Sequence, residues 1–387
     1  MFEDPWVDFY SPCKIHFELD SAFKIGGFIQ NFGNRVLLIN IRKENKNDEE
    51  LQIIKNGLQK HSEGCIIYDD LYGDPDTEQI DSATYFAKKS HADMIIAYGG
   101  LDSFNTARAV SILATNSLFA KDLLNGRGKI KVPALPIISV PIEPTMGEEL
   151  SNSFTLIDAE SGVRRFFSHD SLFAKACFYD PKICNHLSSD EAAKVTGAQL
   201  AYAIESALSS KTSPLSTTMI LRAIDSMKKY MTALYRDPTE EKLITNVLWA
   251  SSMIGMALPS SPLGVTWSIA TALSTETRVD FHHGMSLILP HVMEYYLTAA
   301  PNRYVNIARS LEEDVKDISI IEAAIKAVEG VRKQYLEVNL PMRLQEFEVK
   351  KSELGTIAQV ASTYSQLENA PRKLSKNEIE SILVSAH

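Results

Sequence analysis

The chain has 387 residues, of which 45% are hydrophobic and 23% charged, and its formal net charge is −10. This length predicts about two domains with cores of ordinary size, and the acidic balance without a basic stripe argues against nucleic acid or an anionic membrane surface as a main partner. The four cysteines are scattered without CxxC spacing, which argues against a zinc knuckle and against a disulfide framework.

The first half of the chain alternates short β-rich runs with amphipathic helical stretches. Strands are predicted at 35–41, 64–68, 92–97, 136–140 and 175–179, and helices from about 48 to 61, from about 76 to 90 and from about 103 onward. Residues 153–157 and 163–167 flank Glu160-Ser161-Gly162 and predict a β-hairpin. Strands that alternate with helices favour right-handed βαβ units around a mostly parallel sheet.

After Asp180-Pro181 the pattern becomes helical. Ser188 and Glu191 form a capping box that opens a helix through about 209. Ser213-Pro214 and Asp237-Pro238 each place an N-cap residue before a proline, which predicts helices to about 235 and 257. Further helices are predicted at about 284–299, 318–337 and 353–366. We therefore predict an α/β domain of the Rossmann type over 1–182 and an α-helical domain over 183–387, with the boundary near 180–187.

The ends and the apolar runs of the chain favour a cytoplasmic location. The first residues are acidic and lack a basic segment followed by an apolar core, so no signal peptide is expected. No apolar run looks long enough to span a bilayer. Scattered, unpaired cysteines are typical of a reducing compartment.

A glycine turn follows the third predicted strand. Gly99 and Gly100 precede Asp102 and Ser103, which open a helix. Backbone N–H groups at a helix N-terminus, approached closely through glycines, suit a phosphate, and ligands of open α/β sheets lie beyond the carboxyl ends of strands. A plain βα turn with Asp102 or Ser103 as N-cap is an equally good interpretation, and the Asp102 carboxylate would repel a phosphate unless it points away.

A second loop leaves the fourth predicted strand over residues 140–149. Glu143, Glu148 and Glu149 lie in it. If this loop lines the same crevice as the glycine turn, three carboxylates would favour a cation or a neutral ligand. A solvated acidic loop is the alternative.

Three histidines fall within ten positions at the start of a predicted apolar helix: His282, His283 and His291. The His283-Gly284 step suits a metal ligand, because glycine lets the backbone turn closely around a site and neutral imidazole is a common ligand of divalent metals. His282 is expected to cap the helix or to pack, and His291 has a structural or a catalytic role with equal weight.

Read in order, these landmarks resemble the iron-containing (group III) alcohol dehydrogenase family, whose fold is shared with glycerol dehydrogenase and dehydroquinate synthase. The family's GGGSxxDxAK turn is matched by 99–108, its PTTAGTGSE loop by 141–149, its domain-opening Asp-Pro by 180–181, its DALxHAIE helix by 198–205, and its HGxxxxxLPHV segment by 283–292. Together these motifs cover the chain almost end to end, and their order across one domain boundary is specific for the fold.

The resemblance implies a catalytic iron or zinc held by one Asp and three His, and this chain departs from that set. Ala198 stands at the position of the Asp, Tyr202 at that of the first His and Trp267 at that of the second, so that His283 is the one family ligand retained. Alanine has no donor atom, and a lone imidazole is not expected to hold a divalent metal tightly. A rearranged set drawn from Asp280, His282, Glu205 and Tyr202 is the less favoured alternative.

The resemblance also implies dinucleotide-binding residues, several of which differ from the family. Asp102 replaces a serine, Asn105 an aspartate, Arg108 a lysine, Ile142 and Glu143 a threonine pair, and Thr145 a glycine. The candidate cofactor-binding residues are therefore Gly99, Gly100, Asp102, Ser103, Asn105, Ile142, Glu143 and Gly147. NAD(P) binding is expected to be weakened. Asn40 with Arg42-Lys43 follows the first predicted strand, where a basic pair could favour the 2′-phosphate of NADP or be a solvated strand end.

The function that the resemblance implies is NAD(P)-dependent oxidation of alcohols or reduction of aldehydes in the cleft between the two domains, with a degenerate metal site. Without a metal, Tyr202 or His283 would hydrogen-bond the carbonyl oxygen and supply the proton. The alternative is a non-catalytic or repurposed member that binds a small molecule or a protein partner without metal. Homodimers are common in the family, and the substrate is not readable from the sequence.

Overall fold

The structure, a computed structural model, describes residues 9–41 and 49–387. Their contacts divide the chain into two compact units, one formed by Ser11–His186 and the other by Leu187–His387 with residues 9–10. The Arg42-Lys43 pair and the expected helix start at Asp48 lie outside the described residues.

The first unit contains a six-stranded sheet in the order β1-β8-β5-β4-β2-β3, in which every described pairing is parallel. Its strands are β1 Lys14–Phe17, β2 Arg35–Asn40, β3 Gly64–Tyr68, β4 Met94–Gly99, β5 Ile137–Pro141 and β8 Ala176–Tyr179. The strands β6 Ser153–Ile157 and β7 Arg164–Ser168 form the predicted antiparallel hairpin. The central strands are mostly apolar because a parallel sheet is covered on both faces. The predicted fold class of this unit is confirmed.

The helices of the first unit are α1 Ile25–Ile29, α2 Glu49–Gln59, α3 Thr77–Lys89, α4 Leu101–Thr115 and α5 Ala120–Leu124. Helix α4 is buried along most of its length, and Phe104 and Val110 share a core cluster with Leu37, Ile95 and Phe154. This packing of α4 between the sheet and the hairpin fixes its N-terminus at the carboxyl end of β4. The strand β1 and the helices α1 and α5 were not expected from the sequence.

The second unit is helical, as predicted. Its helices are α6 Ser189–Leu208, α7 Pro214–Arg236, α8 Glu241–Ala257, α9 Val265–Glu276, α10 Phe281–Tyr296, α11 Pro301–Ser310, α12 Ile320–Glu337, α13 Leu354–Ala361 and α14 Lys376–Ala386. The capping box of Ser188 and Glu191 is present, and Ser213 caps α7 by accepting from the Ser216 N–H at 3.0 Å. The helices α6, α9 and α10, which carry the candidate site, pack against one another.

Two expectations about the second unit are wrong. Asp237 ends α7, with its N–H donated to the Ala233 carbonyl, and α8 begins only at Glu241. Asp237-Pro238 is therefore a stop rather than a start, since a residue before proline is disfavoured in helical geometry. The segment Glu241–Ser260 is long and apolar enough to cross a bilayer by length and composition, contrary to the expectation, but 50% of its most apolar window is buried, as in a core helix.

Candidate functional site

Helix α6 carries Ala198 and Tyr202 four residues apart, so their side chains share one face. Ala198 is completely buried, and Tyr202 is buried with its ring set edge-on to Phe281 of α10, 6.4 Å between centroids. The positions that correspond to two metal ligands in the resemblance are therefore taken up by packing. The methyl group of Ala198 offers no donor, and the phenol of Tyr202 is a poor one in its neutral form.

Trp267 lies in the first turn of α9. Its indole is buried and meets the Tyr364 ring edge-on at 5.5 Å between centroids. Its backbone N–H donates to Oε2 of Glu205 at 3.0 Å, and the Thr266 N–H donates to Oε1 of the same carboxylate. This third position thus belongs to an apolar contact and to a helix start.

Glu205 lies one turn after Tyr202 on α6, and its carboxylate accepts hydrogen bonds from the backbone N–H groups at the N-terminus of α9. The first N–H groups of a helix have no partner within the helix, and the N-cap residue Gly264 has no side chain to supply one. A carboxylate from another helix satisfies them and complements the positive end of the helix dipole. Burial nevertheless raises the pKa of Glu205 to about 7, although the hydrogen bonds from Trp267 and Thr266 act in the opposite direction.

His283 lies in the first turn of α10, whose N-cap is Asp280. The Asp280 carboxylate accepts from the His282 N–H at 3.0 Å, while its Oδ1 lies 3.2 Å from Nδ1 of His282 and 3.9 Å from Nδ1 of His283. The His283 side chain is 26% exposed and its ring lies beside Phe347. Asp280, and not His282, therefore caps the helix, and the His282 ring packs edge-on to Phe281, which was the other alternative.

Lys194, which was not predicted from the sequence as a site residue, also places a charge near this helix start. Burial lowers the pKa of the His283 imidazole; the Asp280 carboxylate opposes this shift and the Lys194 charge adds to it. Burial would raise the pKa of Asp280, but the hydrogen bond with His282 and the charges of His282 and Lys194 hold it well below its usual range. Lys194 lies four residues before Ala198 on the same face of α6, a spacing that could have identified it.

These residues do not fit a resident divalent metal. Of the four positions, only His283 carries a good donor, and the part of the chain that the structure describes holds no group of three His, Cys, Asp or Glu side chains placed to bind a metal ion. Catalytic zinc sites use three protein ligands and an open position. The rearranged set is not assembled either, because Glu205 is bound to the amides of α9.

In the first unit, the glycine turn leads from β4 into α4. Gly99 has φ of 144°, a backbone conformation that side chains rarely allow, and Gly100 is the N-cap without a side chain. The Ser103 hydroxyl accepts from the Ile41 N–H at 3.4 Å and so ties α4 to the end of β2. The N–H of Ile142, in the loop after β5, donates to the Gly99 carbonyl at 3.3 Å. The structure therefore brings the two predicted cofactor loops together.

Other candidate cofactor residues are held by the protein itself. The Asn105 side chain accepts from the Thr155 N–H at 3.2 Å and donates to the Thr155 hydroxyl at 3.4 Å, so it fastens α4 to the hairpin. Gly147 has φ of 95° and starts a short 3-10 turn over Glu148–Leu150. Its place is set by the turn, since left-handed backbone favours glycine.

A buried charged cluster supports this loop, and the sequence reading missed it as well. Arg108 donates to the Glu148 carbonyl at 2.5 Å, while the Glu149 carboxylate accepts from the Thr145 hydroxyl at 2.5 Å and from the Tyr179 hydroxyl. Burial lowers the pKa of Arg108 to about 10 and raises that of Glu149, with the opposite charges acting against both shifts. Charges are rarely buried unless they are paired, which could have marked these positions.

Comparisons with known proteins agree with the landmarks. A family model described as iron-containing alcohol dehydrogenase matches residues 12–181, and one described as the Fe-containing alcohol dehydrogenase family, C-terminal, matches residues 196–387. The sulfoacetaldehyde reductase of Bilophila wadsworthia is 23% identical over 342 residues, which cover 86% of this chain and 88% of that protein. The 1,3-propanediol dehydrogenase of Citrobacter freundii is 22% identical over 99% of this chain and 97% of its own length.

Solved structures show the same fold. A crystal structure of 1,3-propanediol oxidoreductase superposes with a TM-score of 0.93 at 20% identity and covers 99% of this chain and 100% of its own. The sulfoacetaldehyde reductase of Bifidobacterium kashiwanohense, solved in complex with NAD+, superposes with a TM-score of 0.87 at 16% identity, with 99% of both chains covered.

Proposed function

The chain belongs to the iron-containing alcohol dehydrogenase family, a family of alcohol and aldehyde oxidoreductases, and we propose that it is a member with a degenerate metal site that binds a small molecule without metal-assisted redox chemistry. The observation that carries this proposal is the filling of the ligand positions by Ala198, Tyr202 and Trp267, all of them buried. A metal ion in this family would act as a Lewis acid on the substrate oxygen. Among the four positions of the ligand set, all within the described part of the chain, only His283 carries a good donor atom for it.

The decisive experiment restores the missing ligands. Wild-type protein purified without chelators is titrated with Zn²⁺ and Fe²⁺ beside the variant Ala198→Asp/Tyr202→His/Trp267→His. We expect the wild type to bind no more tightly than its own His283→Ala variant, and the triple variant to gain a stoichiometric metal that His283→Ala then removes. One tightly bound metal in the wild type, lost on His283→Ala, would contradict the proposal.

Metal-free aldehyde reduction by NAD(P)H is a second candidate, and the position of His283 favours it. The imidazole is partly exposed and its lowered pKa favours the neutral form, while Tyr202 lies on the helix that packs against α10. NAD(P)H, if bound, would supply a hydride to the carbonyl carbon. The neutral His283 imidazole would donate a hydrogen bond to the carbonyl oxygen, and the Tyr202 hydroxyl would give that oxygen its proton. This candidate requires that Tyr202→Phe, which keeps the ring contact with Phe281, abolishes turnover of NAD(P)H while the thermal unfolding temperature is unchanged.

The two candidates differ in their ligands. A shift of the unfolding temperature by NADH or NADPH supports the second candidate, since a ligand bound only by the native state stabilises it. The absence of such a shift, together with a shift by small aldehydes or carboxylic acids, supports the first.

We also propose a cytoplasmic location. All four cysteines are free, which fits a reducing compartment: Cys13, Cys65, Cys177 and Cys184.

A further inference from the structure

The N-terminus of α4 has the features of an anion site. Its first N–H groups have no partners within the helix, its N-cap Gly100 provides no side chain, and the glycine turn allows close approach of an oxygen atom. The positive end of the helix dipole adds to the attraction. On these grounds alone a phosphate group would be the expected occupant.

A carboxylate of the chain lies beside the N-cap of this helix. Glu143, in the loop after β5, is packed against Gly100 so closely that a Cβ added to Gly100 would overlap its Oε1 and would stand 3.4 Å from its Cδ. The backbone of this loop is fixed, because Pro141 and Pro144 flank the residue and the neighbouring Ile142 N–H is bonded to the Gly99 carbonyl at 3.3 Å. Asp102 adds a second acidic side chain in the first turn of α4.

We propose that Glu143 determines the ligand specificity of the first unit: its carboxylate takes the place of a phosphate at the N-terminus of α4 and excludes nucleotide phosphates. Two anions cannot share the same few amides, because each would face the other's charge within a few ångström in a half-buried setting. The inference concerns the first unit and is independent of the metal ligands in the second.

The experiment compares the wild type with Glu143→Ala and with Glu143→Gln, which keeps the size of the side chain but removes its charge. Glu78→Ala is the matched control, since Glu78 is an exposed acidic residue in the first turn of α3 in the same unit. Inorganic sulfate, at an ionic strength held constant with sodium chloride, and ADP are the probes. Binding is measured by the rise of the unfolding temperature and by calorimetry.

We expect sulfate and ADP to stabilise Glu143→Ala and to leave the wild type and Glu78→Ala unchanged, with an ADP affinity roughly tenfold or more above that of the wild type. If Glu143→Ala does not fold, Glu143→Gln must show the same direction of change with a smaller gain. Equal responses of the wild type and both Glu143 variants to sulfate and ADP would overturn the proposal. So would ADP binding to the wild type that the substitutions do not strengthen.

Discussion

The free energy of unfolding of the helical unit should depend on the ionisation of Glu205. Two effects compete at this carboxylate: the N–H groups at the start of α9 favour the charged form, and burial penalises it. Burial prevails, because the pKa is raised from 4.5 to about 7. The folded state therefore holds the proton more tightly than the unfolded chain, so the stability that it contributes is complete below pH 4.5 and is lost as pH rises towards 7.

The expected magnitude follows from the shift. Each pKa unit is worth about 1.4 kcal/mol, so a rise from 4.5 to about 7 amounts to about 3 kcal/mol lost between those pH values. Glu205→Gln removes the titration and keeps the shape of the side chain. The difference in unfolding free energy, wild type minus Glu205→Gln, should thus fall by about 3 kcal/mol from pH 4.5 to 7.5 and be flat above.

Urea unfolding followed by tryptophan fluorescence measures this difference, because Trp249 and Trp267 both lie in the helical unit. The midpoint and slope are taken at each pH for both proteins. Glu241→Gln, at an exposed position on α8, is the matched control and is measured over the same range. If the difference for Glu205→Gln stays constant or grows with pH, the amides of α9 outweigh burial and the reasoning is refuted.

Three further predictions follow from other buried groups. Tyr179→Phe removes a hydrogen bond to the buried Glu149 carboxylate and should cost about 1.5–3 kcal/mol in urea unfolding followed by circular dichroism, whereas Tyr85→Phe, at an exposed ring, should change little; equal effects would contradict this. Gly284→Ala places a methyl group 3.1 Å from Cβ of Ala270 and should cost about 1–3 kcal/mol in fluorescence-detected unfolding. Its control Gly355→Ala meets nothing closer than 3.7 Å and should be neutral or slightly stabilising. Burial and the charges of Arg332 and Arg343 lower the pKa of His291 to about 4. The wild type should therefore lose about 3 kcal/mol of unfolding free energy relative to His291→Gln as pH falls from 6.5 to 4. Urea unfolding at each pH measures this difference, and a constant difference would exclude the effect.

The sequence predicted those parts of the fold in which apolar and polar or turn residues alternate clearly along the chain. The strand Gly64–Tyr68 and the two strands of the hairpin at 153–168 are short β-rich runs bounded by turn residues, and all are present. Helix α9 lacks such contrast: residues 265–273 are all buried, so no polar face marks its period. Strand β1 has four residues, only partly buried, and its partner β8 lies some 160 residues later in the chain. A strand pairing between residues so far apart in the chain cannot be predicted from the sequence around either strand.

In the candidate site, too, local spacing could be predicted from the sequence and contacts between distant segments could not. The four-residue spacing on α6 placed Ala198 and Tyr202 on one face without coordinates. The carboxylate of Glu205 on the amides of α9 and that of Glu143 on Gly100 join segments 61 and 43 residues apart, and no spacing rule predicts them. Asp237-Pro238 misled for a related reason, because a cap residue before proline is also a common helix end and only the neighbouring turns decide between the two.

The replaced positions share a physical character that bears on the proposed function. Had ligands simply been lost from a metal site, buried polar atoms around a void would remain, at a cost in stability. Instead Tyr202 and Trp267 make aromatic contacts, and in the other unit the Glu143 carboxylate lies against Gly100, the N-cap of α4. Under the two proposals, each site is completed by the chain's own side chains. Because the two changes lie in separate units and involve different chemistry, packing in one and charge in the other, their joint occurrence favours a protein that folds without metal and without nucleotide over one that has merely weakened its hold on a single cofactor.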